Sequence, residues 1–125
     1  MMLSVEQGKP LAESKREVRY ATSFIGWYAE EAKCDYDEML PSYKMDARIL
    51  VSRQPVGVIT TITPWSFPAA TSSRKCAIGF SAGCLLLLKS AQDTPFTALA
   101  LADLAKQVVV PDVVLQVVTG NTHSH

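Results

Sequence analysis

The chain has 125 residues, of which 48% are hydrophobic and 19% charged, and its formal net charge is zero. This length holds one domain with a modest core, and the composition excludes bulk disorder. The zero net charge argues against general binding to nucleic acid or an anionic membrane, which needs a basic surface.

The N-terminus reaches acidic Glu6 without the apolar stretch of a secretory leader. The apolar run Leu85 to Leu88 is far too short to span a bilayer. A cytoplasmic location is therefore expected, or a mitochondrial one if a transit peptide precedes Met1. Residues 11–36 read as one long amphipathic helix starting at Pro10. Its apolar positions Val18, Ala21, Phe24, Ile25, Tyr28, Ala29 and Ala32 recur at spacings of three and four. Trp27 and Tyr28 read as core or interface packing. Residues 37–47, with Pro41, Ser42 and mixed charges, read as a loop. Arg48 to Arg53 reads as a strand that ends at Gln54-Pro55, and Gly57 to Thr63 as a second. The chain divides near residue 55, into a helix-and-hairpin region (1–55) and a βαβαβ region (56–125).

In the second region, Pro68 to Ala82 has the pattern of a helix, with proline in its first turn and Gly83 as its stop. Cys84 to Lys89 is an apolar run without alternation, which predicts a strand covered on both faces. Pro95 to Val108 predicts a helix whose apolar face carries Leu99, Leu101, Ala102, Leu104 and Ala105. Val113 to Val118 predicts the last strand. Strand and helix alternating with short joints predicts a parallel sheet with right-handed crossovers, half of a doubly wound α/β nucleotide-binding fold.

Ligands of such folds bind at the C-terminal ends of the strands. That rule selects Thr63–Phe67, Lys89–Thr94 and Thr119–Asn121. Lys89 ends an apolar strand, where its ammonium can reach nucleotide hydroxyls or phosphates. Gln92 offers an amide to a ribose, and Asp93 and Thr94 are candidate helix caps. No GxGxxG is present. Cys34, Cys76 and Cys84 form no CxxC pair and read as reduced, mostly buried thiols. Arg74 and Lys75 beside Cys76 favour a lowered thiol pKa, but no histidine lies near it in sequence to act as base. Cys84 reads as core. His123 and His125 cannot close a four-ligand metal site on their own, and the tail reads as solvated and frayed.

Several segments, in order, resemble the NAD(P)-dependent aldehyde dehydrogenases. Gln54-Pro55-Val56-Gly57-Val58, running on to Ile62-Thr63-Pro64-Trp65-Ser66-Phe67-Pro68, is similar to the family's QPxGV…ITPWNFP. Gly83-Cys84 through Lys89-Ser90-Ala91 resembles its AGC…KPA, and Thr94 to Leu104 its TPFSALALAEL. Glu6-Gln7-Gly8-Lys9-Pro10-Leu11-Ala12-Glu13 resembles EQGKPLAEA, and Trp27 to Glu31 resembles the helix that follows. The combination is most similar to the succinate-semialdehyde branch, and it covers essentially the whole chain.

The resemblance implies a Rossmann-like cofactor half, NAD or NADP as cofactor, and an aldehyde substrate such as succinate semialdehyde. It implies a homo-oligomer, as family members usually form, while the net charge argues against a nucleic-acid or membrane partner. It also implies a mechanism in which a cysteine thiolate attacks the aldehyde and a hydride passes to the nicotinamide. A glutamate-assisted water then releases the acid. Ser66 would stand where the family has its oxyanion-binding asparagine. Lys75 would match a lysine kept near the active site in a proton-relay position. Thr63, Pro64 and Trp65 would line the nicotinamide-ribose side, and Lys89 would contact the adenine ribose. Gln92 would replace a ribose-binding glutamate. Ser66 is shorter than asparagine, and Gln92 lacks the carboxylate that favours NAD over NADP. Ser90 replaces a proline. Ala77-Ile78-Gly79-Phe80 stands in place of a GPAL-like run, so Phe80 is expected to overpack its helix, at about 1–3 kcal/mol. None of the three cysteines matches the family's catalytic motif, and its glutamate would also lie beyond His125. The isolated chain is therefore expected to be inactive. An alternative reading is a non-catalytic nucleotide-binding or interaction protein that pairs with a full-length relative.

Overall fold

In the computed structural model, which describes residues 1–121, a short helix α1 (Met2–Gln7) and a long helix α2 (Leu11–Glu31) come first, the latter extended by a 3-10 turn over Ala32–Cys34. Strands β1 (Glu38–Pro41) and β2 (Arg48–Val51) follow. The remainder is β3 (Val58–Ile62), α3 (Pro68–Ser81), β4 (Leu85–Lys89), α4 (Pro95–Gln107) and β5 (Leu115–Val118). The βαβαβ reading is borne out. β3, β4 and β5 form a parallel sheet in that order, with Thr61 beside Leu88 and Leu88 beside Val117.

Three expectations about the N-terminal half are corrected. The segment 37–47 is not all loop, because Glu38–Pro41 pairs antiparallel with Arg48–Val51, Met39 opposite Leu50. A four-residue strand carrying a proline and exposed throughout has neither the length nor the alternation that marks a strand in sequence. The α-helix stops at Glu31 rather than residue 36. Trp27 is 66% exposed and takes no part in the core.

Both crossover helices lie on one face of the sheet. Cys76 from α3 and Ala98 from α4 pack on Leu86 and Leu88, flanked by Ile59, Leu115 and Val117. Strand residues alternate between faces, so the opposite face carries Val58, Ile62, Leu85 and Val118, all exposed. This corrects the expectation that β4 is covered on both sides. Strands laid down in consecutive order with crossovers of one hand send both helices to the same side. The face expected on α4 also shifts. Thr97 and Ala98 are its buried positions, whereas Leu99 and Leu104 are exposed. Phe80 sits at the surface and overpacks nothing. The crowded position is its neighbour Gly79, where a Cβ would come within 2.5 Å of Leu86 Cδ2.

The two helices end alike. After α3, the Gly83 N–H bonds Phe80 O and the Cys84 N–H bonds Gly79 O, a Schellman closure with Gly83 at φ 67°. After α4, the Val109 N–H bonds Lys106 O and the Val110 N–H bonds Ala105 O, with Val109 at φ 65°. Among the described residues no helix is long and apolar enough to cross a membrane. The reading of the histidine tail falls on residues 122–125, outside the described residues.

Candidate functional site

The site is built where β3, β4 and β5 end. Thr63 closes β3: its N–H donates to Lys89 O at 3.1 Å and its hydroxyl to the same oxygen at 3.4 Å. Lys89 closes β4, and its ammonium donates to Gly120 O at 2.6 Å and to Ser90 O at 3.3 Å. Lys89 therefore spans the ends of β4 and β5. An ammonium has three donors, so two are held by carbonyls and one remains for a ligand. Lys75, on α3, reaches back to donate to Ile62 O at 2.6 Å. The structure thus brings Thr63, Lys75 and Lys89 to one edge. Pro64, Trp65 and Gln92 lie exposed on the loops that leave it.

Ser66 faces elsewhere. It is half-buried and lines a cleft of about 710 Å³ between α2 and α3 together with Arg16, Tyr20, Phe24, Phe67 and Arg74. The cleft wall contains none of Thr63, Trp65, Lys89 or Gln92. The predicted residues therefore fall into two groups, one at the sheet edge and one in the cleft, joined by the short Pro64-Trp65 segment. Arg74 is the residue that sequence reasoning passed over. It is exposed, its guanidinium carbon stands 5.7 Å from the Phe24 ring centroid, and it shares the cleft with Ser66. Its place follows from helical spacing, since positions 70, 71 and 74 recur on one side of α3.

The helix starts correct another expectation. Asp93 and Thr94 were candidate caps for α4, yet Thr94 makes no side-chain cap bond. Glu6 caps it, accepting from the Phe96 N–H at 2.6 Å, the Thr97 N–H at 3.2 Å and the Thr97 hydroxyl. At α3 the carboxylate of Glu17 accepts from the Ala69 N–H at 2.9 Å and the Ala70 N–H at 3.3 Å. Glu17 is buried and paired with Lys9 at 2.5 Å. The first N–H groups of a helix are the usual anion site of nucleotide-binding α/β folds. Here both such sites already hold a carboxylate of the chain itself. The edge is left with a donor on Lys89 and the amide of Gln92, chemistry suited to hydroxyls more than to a diphosphate.

The cysteines supply no nucleophile at this edge. Burial pushes the Cys76 thiol up to about 11, an effect partly opposed by a hydrogen bond with Thr61. The expected lowering by Arg74 and Lys75 is overturned, because Arg74 points outward while Cys76 lies in the core. Cys84 is buried and Cys34 exposed. Among the described residues no three His, Cys, Asp or Glu side chains gather as a metal site.

The aldehyde dehydrogenase family model matches residues 1–125. The succinate semialdehyde dehydrogenase of Acinetobacter baylyi is 55% identical over 120 residues, which is 96% of this chain and 25% of that protein. The NADP(+) succinate-semialdehyde dehydrogenase of Escherichia coli is 52% identical over the same shares. The crystal structure of succinate-semialdehyde dehydrogenase from Burkholderia pseudomallei superposes with a TM-score of 0.94 at 50% identity, covering 97% of this chain and 25% of that one. The chain thus spans about a quarter of the length of these relatives. With its parallel sheet, its strand-end lysine and its TPWSFP turn accounted for, this chain belongs to the aldehyde dehydrogenase family.

Proposed function

We propose that the chain forms the cofactor-side portion of an NAD(P)-dependent aldehyde dehydrogenase acting on succinate semialdehyde or a close analogue. The observation that carries this reading is the joint between the two groups of residues. A single turn, Thr63 to Phe67, runs from the edge where Lys89 keeps a free donor to the cleft that Ser66 shares with Arg74. A nicotinamide dinucleotide laid along the edge would place its adenine ribose at Lys89 and Gln92 and its nicotinamide end toward Thr63, Pro64 and Trp65. Ser66 would then offer a hydroxyl to the developing oxyanion, and Lys75 would stand by to pass a proton. Bound there, the dinucleotide accepts the hydride. NAD or NADP both suit the edge, since the neutral amide of Gln92 does not repel a 2′-phosphate.

The cationic side chains of the cleft support this substrate class. Succinate semialdehyde, named in the relatives above, carries a carboxylate, and Arg74 and Arg16 give the cleft guanidinium groups that would pair with it. Residues 1–55 would serve as the part that caps and braces the site, and residues 56–125 as the dinucleotide half. The isolated chain is proposed to be inactive as a dehydrogenase, because Cys76 and Cys84 are buried and Cys34 lies in the turn after α2, away from the edge. Incubation with succinate semialdehyde and NAD+ or NADP+ should give no reduced nicotinamide. Reduced nicotinamide formed by the chain and lost in Lys89→Ala would overturn the proposal of inactivity.

A second reading draws on the open face of the sheet. Val58, Ile62, Leu85 and Val118 form an apolar strip there. A non-catalytic protein that pairs with a full-length relative would bury such a strip. Co-elution of the chain with the Escherichia coli relative would favour it, and separate elution at high concentration would exclude it.

A further inference from the structure

We propose that Gln7 and Lys9 are positioning residues for the turn Trp65-Ser66-Phe67, and that they set how Ser66 faces the α2–α3 cleft. The proposal rests on the dehydrogenase reading only for the use made of Ser66; the grip itself is read from the contacts.

The side-chain amide of Gln7 donates to Trp65 O. The ammonium of Lys9 donates to Ser66 O at 3.3 Å and stands 4.8 Å from the centroid of the Phe67 ring. Three successive residues of the turn are thus held from a segment more than fifty residues earlier in the chain. Lys9 is itself fixed, by its 2.5 Å bond to Glu17, and Glu17 in turn is fixed on the first N–H groups of α3. The brace and the helix that follows the turn are therefore one connected unit.

The geometry explains why such a brace is needed. Trp65 is 62% exposed and Phe67 55% exposed, so packing does not immobilise them. Each peptide group is planar. Holding the carbonyls of Trp65 and Ser66 together fixes the two peptide planes on either side of the Ser66 Cα, and with them the direction of its Cβ. A group that stabilises developing charge must be held within about 0.5 Å of its working position. Gly8 makes the double grip possible. It sits between Gln7 and Lys9 at φ 68°, a left-handed bend that ends α1 and turns both side chains toward the same loop.

The test is backbone relaxation measured by NMR on the full 125-residue chain. In the native chain the Ser66 and Phe67 N–H groups should show order parameters near about 0.85, the value of rigid backbone. Gln7→Met removes one donor. The double variant Lys9→Met/Glu17→Gln removes the other without leaving a buried charge unpaired. Each should bring Ser66 and Phe67 toward or below about 0.6, while Leu86 and Leu88 in β4 stay rigid. Lys9→Arg keeps a cation beside Glu17 and should leave the turn ordered. A turn that stays rigid in both donor-lacking variants overturns the proposal. So does a uniform loosening of turn and sheet, which would mark a merely structural role. Titration of the native chain with NADP+ is a separate arm: absence of any shift at the sheet edge would count against the dehydrogenase reading, whereas the order parameters judge the brace.

Discussion

Both crossover helices begin with a proline, Pro68 and Pro95, and both have a glutamate from the N-terminal helices seated on their first free N–H groups. The two units nevertheless differ in finish. At α3 the capping Glu17, itself a residue of α2, is buried and paired with Lys9. At α4 the capping Glu6 is partly open to water, and Leu99 and Leu104 on the helix are exposed. α3 closes on Gly83, whereas α4 closes on Val109 in the same left-handed conformation, which a β-branched residue adopts only under strain. The first unit carries the turn that joins edge to cleft, and it is the braced one. The second carries Lys89 and Gln92 and has its outer surface unfilled. The denser bracing thus falls on the unit that carries Ser66.

The largest effect that would break or sharpen this contrast lies at the two caps. Glu17→Ala strips the α3 start and strands Lys9, and thermal or urea unfolding should show a loss of about 3–5 kcal/mol. Glu6→Ala should cost about 1 kcal/mol, the value of a partly exposed cap. Equal losses would erase the distinction between the units.

Next comes the core thiol beneath α3. Cys76 has its folded pKa raised from 9.0 to about 11. The unfolded chain therefore releases this proton first as pH rises. Its contribution to stability is complete below pH 9.0 and is lost between 9.0 and about 11. The loss should amount to about 2–3 kcal/mol relative to Cys76→Ala, measured as the difference between their unfolding free energies across that range. Parallel pH profiles for the two proteins would place the thiol outside the core.

The smallest effect is at the helix ends. Val109→Gly should stabilise by about 1 kcal/mol by relieving the left-handed valine. Gly83→Val should destabilise by about 1–2 kcal/mol, because a Cβ there adds the same backbone strain and meets Pro55 Cγ at 3.3 Å. A Val109→Gly variant no more stable than the parent would mean that α4 does not close as described.

What the sequence made legible follows the range of the interactions. The βαβαβ order was readable because leucine and valine runs, proline starts and the Gly83 stop are local signals. Lys89 was readable because it ends such a run. The caps were not. Thr94 and Asp93 have the residue types of a local cap, but the work is done by Glu6 from 90 residues away and by Glu17 from 52. No periodicity encodes a contact of that range. Nor does an unbroken leucine run tell which face is covered, because alternation is absent and the order of the strands decides it. Nor does closeness in sequence show that Arg74 and Cys76 point to opposite sides of α3, one into the cleft and the other into the core.

The central claim is that the strand-end edge holding Lys89 receives a nicotinamide dinucleotide. Titration of the isotopically labelled chain with NAD+ and NADP+ tests it most directly. Shifts should cluster at Thr63–Trp65 and Lys89–Gln92, and Lys89→Ala should weaken the affinity about tenfold, the loss of about 1.4 kcal/mol expected for one charge-assisted hydrogen bond. Shifts that are absent at saturating dinucleotide, or that are unchanged in Lys89→Ala, would contradict it.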